Sequence, residues 1–152
     1  MSTIQKYAWF FATMFFLVVL LGHLPGFTDE NGLLLGGFRI NLRDDILHST
    51  SGIWAAIAGW RSPKDARFYF RAFGSFYTFD AIVGFFTGYA VIDLALGKFD
   101  ANAGYSMTDI VHNILVNLPH FIIGPTCLLI GFVLYKTIMK VPKANIGEKG
   151  NK

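Results

Sequence analysis

Two copies of one short pattern contain histidines that could do chemistry. Asp45 precedes His48 by three residues, Asp109 precedes His112 by three residues, and each pattern opens an apolar run. The two histidines are 64 residues apart, which predicts two copies of one unit with both imidazoles at the same depth. Two facing imidazoles can ligate a haem iron from both sides, so His48 and His112 are candidate ligands of a b-type haem. The alternative is structural: each imidazole ties the preceding loop to its helix by a hydrogen bond.

A third histidine, His23, ends the first apolar segment on the same predicted side as His48 and His112. Together with neighbouring carboxylates, these three imidazoles could form a zinc or copper site. Spacing along the chain does not force the three side chains to converge, and His23 can equally lie at the membrane interface. A metal site at His23, His48 and His112 is therefore a further possibility that the sequence leaves open.

Asp80 lies deep inside the third apolar segment, where a charged group is costly and normally faces a partner or water. Counting the helix rise along the third and fourth segments places His120 at a similar depth, with Asn117 one turn away. We therefore predict a buried polar network of Asp80, Asn117 and His120. Such a network either relays protons or serves only as a polar clasp between helices.

The composition indicates a membrane protein. Apolar residues make up 53% of the 152 residues, charged residues only 15%, and the mean hydropathy is +0.46. The net charge of +3 gives no argument for nucleic-acid binding, because the basic residues gather at the ends of apolar segments. The sequence has no nucleotide-binding loop, nucleophile elbow or HExxH helix. A soluble type of enzyme is therefore disfavoured, while the question of catalysis stays open.

Four apolar segments predict an all-α integral membrane four-helix bundle within one domain, residues 1–139. The spans cover about residues 7–22, 44–60, 68–96 and 108–139. The repeated pattern predicts that the bundle consists of two tandem two-helix repeats. Asp45 and Asp109 follow polar loops and are expected to cap the second and fourth helices. We expect a tight turn at residues 61–67 and a disordered basic tail at residues 140–152.

Basic residues next to the apolar segments predict the orientation. Lys6, the 61–67 turn and the tail are placed on one side of the membrane, which is then the cytoplasmic side. Both termini are therefore expected to be cytoplasmic, with the loops 24–43 and 97–107 outside.

Three stretches carry a resemblance to a known family: LPGF at 24–27, RDDILHSTSG at 43–52 and TDIVHNIL at 108–115. Over about residues 7–138 the chain resembles a family of small bacterial four-helix membrane proteins classed only as a domain of unknown function. The resemblance implies a multi-pass fold in the bacterial inner (plasma) membrane. It implies no reaction.

The sequence leaves three functions open. The leading hypothesis is a non-catalytic multi-pass membrane protein, either a small accessory subunit of a larger membrane complex or a homo-oligomer, because its second helix is rich in small residues that suit close packing. The first alternative is a haem-binding electron carrier ligated by His48 and His112. The second is a small transporter or proton path through Asp80 and His120. The expected partners are the lipid bilayer and other membrane subunits or copies of the chain, with no nucleic acid.

Overall fold

The computed structural model describes residues 1–30, 33–35, 38–39, 42–87, 89, 91 and 110–138, and these residues are mainly helical. The elements are α1 (Thr3–His23), β1 (Leu33–Leu34), β2 (Phe38–Arg39), α2 (Leu42–Arg61), α3 (Pro63–Thr87), α4 (Ile110–Leu128), a π-helical segment (Leu129–Leu134) and α5 (Tyr135–Ile138). The strands β1 and β2 are antiparallel, with Leu34 opposite Phe38. They form a small hairpin in the predicted outer loop.

Helix α1 is fixed at both of its ends. At its start the Gln5 side-chain oxygen accepts the Ser2 backbone N–H at 2.9 Å, which satisfies a donor that the helix leaves unpaired. The Gln5 amide nitrogen donates to the Gly59 carbonyl at 2.9 Å and so ties α1 to the end of α2. After His23 the chain turns at Gly26, whose φ of +89° favours glycine.

The connection between α2 and α3 is shorter than the tight turn predicted at 61–67. Helix α2 ends at Arg61 and α3 begins at Pro63, so only Ser62 lies between them. The Asp65 backbone N–H donates to Ser62 Oγ at 3.0 Å, and Ser62 Oγ donates to Asp65 Oδ2 at 2.8 Å. A serine cap followed by proline at the first helical position starts the helix at once. Most of the predicted turn is therefore the first turn of α3.

The fourth apolar segment remains helical through two prolines. Pro119 and Pro125 both lie inside α4, although each removes one backbone donor from the helix. The π-helical register of Leu129–Leu134 begins four residues after Pro125. The long fourth segment is thus an α-helix, a π-helical stretch and a short α-helix in succession.

The helices pack as two close pairs, α1 with α2 and α3 with α4, and α2 and α3 join the pairs. Glycines bring the partners together: Gly52 and Gly59 lie against side chains of α1, and Gly124 lies against the backbone of Thr78. The prediction that the small residues of the second segment face a neighbouring helix agrees with the buried face of α2. That face consists of Ser51, Gly52, Ala55, Ala58 and Gly59.

Large apolar side chains lie on the outside of the described bundle. Exposed phenylalanine, leucine, isoleucine and tryptophan residues occur on α1, α2, α3 and α4, for example Phe10, Leu20, Trp60, Phe79 and Ile122. Two stretches, Thr3–His23 and Asn117–Thr137, are long and apolar enough to span a membrane. The structure is therefore helical with two candidate membrane-spanning helices.

The observed helix bounds differ from the predicted spans mainly at their starts. Helix α2 starts at Leu42 and α3 at Pro63, where the predictions were 44 and 68. Within 88–109 the structure describes only Tyr89 and Val91, so most of 88–96, the 97–107 loop and the predicted cap Asp109 lie outside the described residues. The tail 140–152 also lies outside them.

Candidate functional site

Asp80 is the centre of a polar cluster between α3 and α4. It is only 6% exposed. Its Oδ2 atom lies 3.4 Å from Nε2 of His120, and its Oδ1 atom accepts the Val91 backbone N–H at 2.8 Å. Both carboxylate oxygens thus have a polar neighbour, as a buried acid requires. The structure brings together the Asp80 and His120 side chains that the helix-rise count placed at one depth.

The His120 ring continues a stack of aromatic rings along α3. It stacks on Tyr77 with ring centroids 4.4 Å apart. Tyr77 stacks on Phe73 at 4.7 Å, and Phe73 on Tyr69 at 5.2 Å. The residues of α3 in this stack recur every four positions and therefore share one helix face. The stack fixes the imidazole plane and directs its Nε2 atom towards Asp80.

Asn117, the third member of the predicted network, is also buried. Its side chain lies directly against Gly84, where any added Cβ would collide with the Asn117 amide. Gly84 follows Asp80 by four residues, so it leaves room for the amide on the same face of α3. Asp80, Asn117 and His120 therefore lie together between two helices.

His48 of α2 extends the cluster. It lies against the Phe15 ring, with centroids 5.8 Å apart. Its Nδ1 atom is buried, as is Nδ1 of His120. His48 and Asp44 are both close enough to His120 for their charges to interact. Phe15 also contacts Tyr77, whose ring stacks on His120, so two aromatic rings connect His48 to His120.

The partner predicted for His48 was His112, which lies in the first turn of α4. The side chain of His112 is outside the part of the molecule that the structure describes. Pairing of His48 and His112 on a haem therefore stays a prediction.

His23 contacts an aspartate instead of another histidine. Its Nε2 atom lies 2.9 Å from Oδ2 of Asp45. Because α2 begins at Leu42, Asp45 lies inside its first turn and not at the predicted cap position. There its negative charge interacts favourably with the positive end of the helix dipole. No three His, Cys, Asp or Glu side chains of the described residues are grouped to hold a metal ion.

The cluster can exchange protons. An imidazole and a carboxylate 3.4 Å apart can share one proton after a small adjustment, and His48 and Asp44 lie nearby as further titratable groups. Sequence reasoning missed Tyr77, Gly84 and Asp44 as members. The four-residue spacing of Tyr69, Phe73 and Tyr77 is the signal that would have placed an aromatic face beside Asp80.

A comparison with protein families matches the part of the chain that contains the first three long helices. A family model described as Domain of unknown function (DUF4383) matches residues 5–95, more than half of the chain. The chain belongs to this family. The DUF4383 match includes the first Asp-x-x-His pattern and ends before the second, so it covers Asp80 and His48 but neither His112 nor His120. No curated protein and no solved structure matches the chain.

Proposed function

We propose that this DUF4383 protein is a non-catalytic, four-span membrane protein that acts by packing against other membrane subunits or against copies of itself. The proposal rests on one observation: apolar side chains lie on the outside of the bundle and polar side chains lie inside it. Large apolar side chains are exposed on all four long helices, whereas Gln5, Ser51, Asp80 and Asn117 are buried. Lipid solvates apolar surface and leaves polar groups to be satisfied inside the protein.

The polar cluster supports a packing role. Asp80, Asn117 and His120 lie between α3 and α4, and His48 of α2 lies against Phe15 of α1. Bonds and close contacts between buried polar groups specify how helices fit together in lipid. Native mass spectrometry and crosslinking of the full chain in detergent test this role. We expect oligomers or co-purified membrane subunits, and a strict monomer without partners would refute it.

The charges support an orientation with both termini in the cytoplasm. Lys6, Arg61, Lys64 and Lys136 lie at the end of the bundle that holds the α2–α3 turn. Single cysteines, introduced into a Cys127→Ala background, test this topology. A membrane-impermeant reagent added outside should label positions 31 and 102 and spare positions 62 and 145. The reverse pattern would overturn the orientation.

The pairing of α1 with α2 and of α3 with α4 supports two tandem two-helix repeats. Superposing residues 7–60 on residues 71–124 should then bring His48 near His112. Clearly different depths of the two histidines would end both the repeat and the haem proposal. The haem proposal has a simpler test as well, since protein that is colourless after haem-supplemented expression refutes it.

A proton path through Asp80 and His120 is the second candidate function. It is favoured by the approach of His120 Nε2 to the buried Asp80 carboxylate at 3.4 Å, and by the buried Nδ1 atom of His120, which has no hydrogen-bond partner among the described residues. Proteoliposomes with an internal pH dye test it: the wild type should dissipate an imposed pH gradient, and Asp80→Asn should not. Asp65→Asn, which changes a more exposed acid of α3, is the matched control. A wild type no leakier than empty vesicles would exclude the path.

A further inference from the structure

Two arginines of α3 share one carbonyl of the fourth segment. Arg67 Nε donates to the Gly131 oxygen at 3.2 Å, and Arg71 Nε donates to the same oxygen at 3.3 Å. Gly131 lies in the π-helical segment, and a Cβ added there would come within 2.9 Å of Cγ of Arg71. Glycine therefore allows the two arginine side chains to lie across this backbone.

An aromatic ring lies against each guanidinium. Cζ of Arg67 is 4.0 Å from the centroid of the Tyr135 ring, and Cζ of Arg71 is 4.0 Å from that of Phe132. The cation–π contact and the Nε bond together fix each guanidinium plane. The terminal Nη groups, which make no bond to a described residue, keep donors for a ligand.

The two cations lie side by side, and neither has a counter-ion among the described residues. No carboxylate of the described chain pairs with Arg67 or Arg71; the nearest acid along α3, Asp65, pairs with Arg61 at 3.5 Å. Like charges held this close repel each other, and the repulsion is stronger beside lipid than in water. An anion that bridges the Nη groups would remove it, and a phosphate group matches the planar fork of arginine.

We propose that Arg67 and Arg71 form a binding site for the phosphate of an anionic phospholipid in the leaflet beside the α2–α3 turn. The site rests on the proposed membrane location. Leu129, Phe132 and Val133 are exposed next to it and offer an apolar surface for acyl chains. Trp60 is exposed at the same end of the bundle, as is usual for aromatic residues at a membrane interface. Basic pockets between helices are suited to phospholipid head groups.

Native mass spectrometry of the full chain in detergent tests the site, with phosphatidylglycerol or phosphatidylcholine added in separate titrations. We expect the wild type to retain phosphatidylglycerol in preference to phosphatidylcholine. The double variant Arg67→Gln/Arg71→Gln should bind phosphatidylglycerol about tenfold more weakly. The matched control Lys64→Gln/Lys136→Gln removes two exposed charges from the same end and should bind nearly as the wild type does.

Further variants and conditions keep the result clear. If the double glutamine variant does not fold, Arg67→Lys/Arg71→Lys keeps the charge but loses the guanidinium fork, and its phosphatidylglycerol binding should still fall below that of the control. Equal binding of the two lipids, or equal losses in the site and control variants, would overturn the proposal. Inorganic phosphate that displaces the lipid at equal concentration would indicate a free-anion site and would also overturn it. Alkaline extraction that releases the chain from membranes would instead refute the proposed function.

Discussion

Among the described residues, each helix pair contains one histidine–aspartate ion pair, and the two ion pairs differ in distance and burial. His23 and Asp45, of α1 and α2, lie 2.9 Å apart, with the His23 side chain 68% exposed. His120 and Asp80, of α4 and α3, lie 3.4 Å apart, with side chains 24% and 9% exposed. The shorter pair is thus the more hydrated one. Because water replaces a lost partner only where it has access, burial and not distance should decide which pair matters.

The largest effect is expected from Asp80→Leu. The substitution removes the neighbour of His120 Nε2 and the acceptor of the Val91 N–H, and both groups lie in half-buried positions. We expect a loss of about 2 to 3 kcal/mol in the free energy of unfolding, measured in detergent. Asp80→Asn is the matched control, because the amide oxygen can still accept the Val91 bond, and its loss should be smaller.

A double-mutant cycle tests the coupling between the two side chains. Adding His120→Leu to Asp80→Leu should recover part of the loss, since no imidazole is then left without its partner. Strictly additive losses would mean that the two side chains do not interact. The Asp80–His120 pair would then resemble the exposed His23–Asp45 pair.

The second largest effect is expected from a glycine substitution, and it should differ between the two helix pairs. A Cβ at Gly124 would lie 2.7 Å from the Thr78 backbone nitrogen, whereas one at Gly52 would lie 3.2 Å from the end of the Phe16 ring. The backbone of Thr78 cannot move aside as easily as the end of the Phe16 ring can. Gly124→Ala should therefore cost about 1 to 2 kcal/mol, even though alanine favours a helix by up to about 1 kcal/mol.

Gly52→Ala should change the stability little, since the same helix preference offsets longer contacts, 3.2 Å to the Phe16 ring and 3.3 Å to Cβ of Phe15. Thermal unfolding of both variants under one detergent condition measures the difference. Equal losses at the two positions would show that α3 and α4 are no more tightly packed than α1 and α2.

The depth of a residue along its helix could be predicted from the sequence. The helix rise alone brought Asp80 and His120 to one level. The start of α3 was equally readable, because Ser62, Pro63 and Asp65 occupy the cap, first and third positions of a standard helix start. Their basic neighbours made the stretch look like a turn.

Rotation about the helix axes could not be predicted. The orientation of the His120 ring depends on how α4 is rotated against α3, and Gly84 and Gly124 allow the two helices to approach closely. The carbonyl of Gly131 that both arginines share could not be predicted either, because it lies in a π-helical segment that no local residue type indicates. Sequence spacing therefore gave the level of the polar groups, and with it the Asp80–His120 pair, but not the aromatic rings and glycines that surround them.

The smallest effect is expected from His23→Ala. The imidazole is mostly in contact with solvent, so water can take its place beside Asp45 Oδ2 despite the short distance between the two side chains. We expect a loss of about 0.5 kcal/mol, and salt should reduce it further because screening weakens an exposed pair. Unfolding measured at low and at high salt checks both points. A loss as large as that of Asp80→Leu would show that Asp45, whose Oδ1 atom is buried without a partner among the described residues, depends on His23 as much as Asp80 depends on His120.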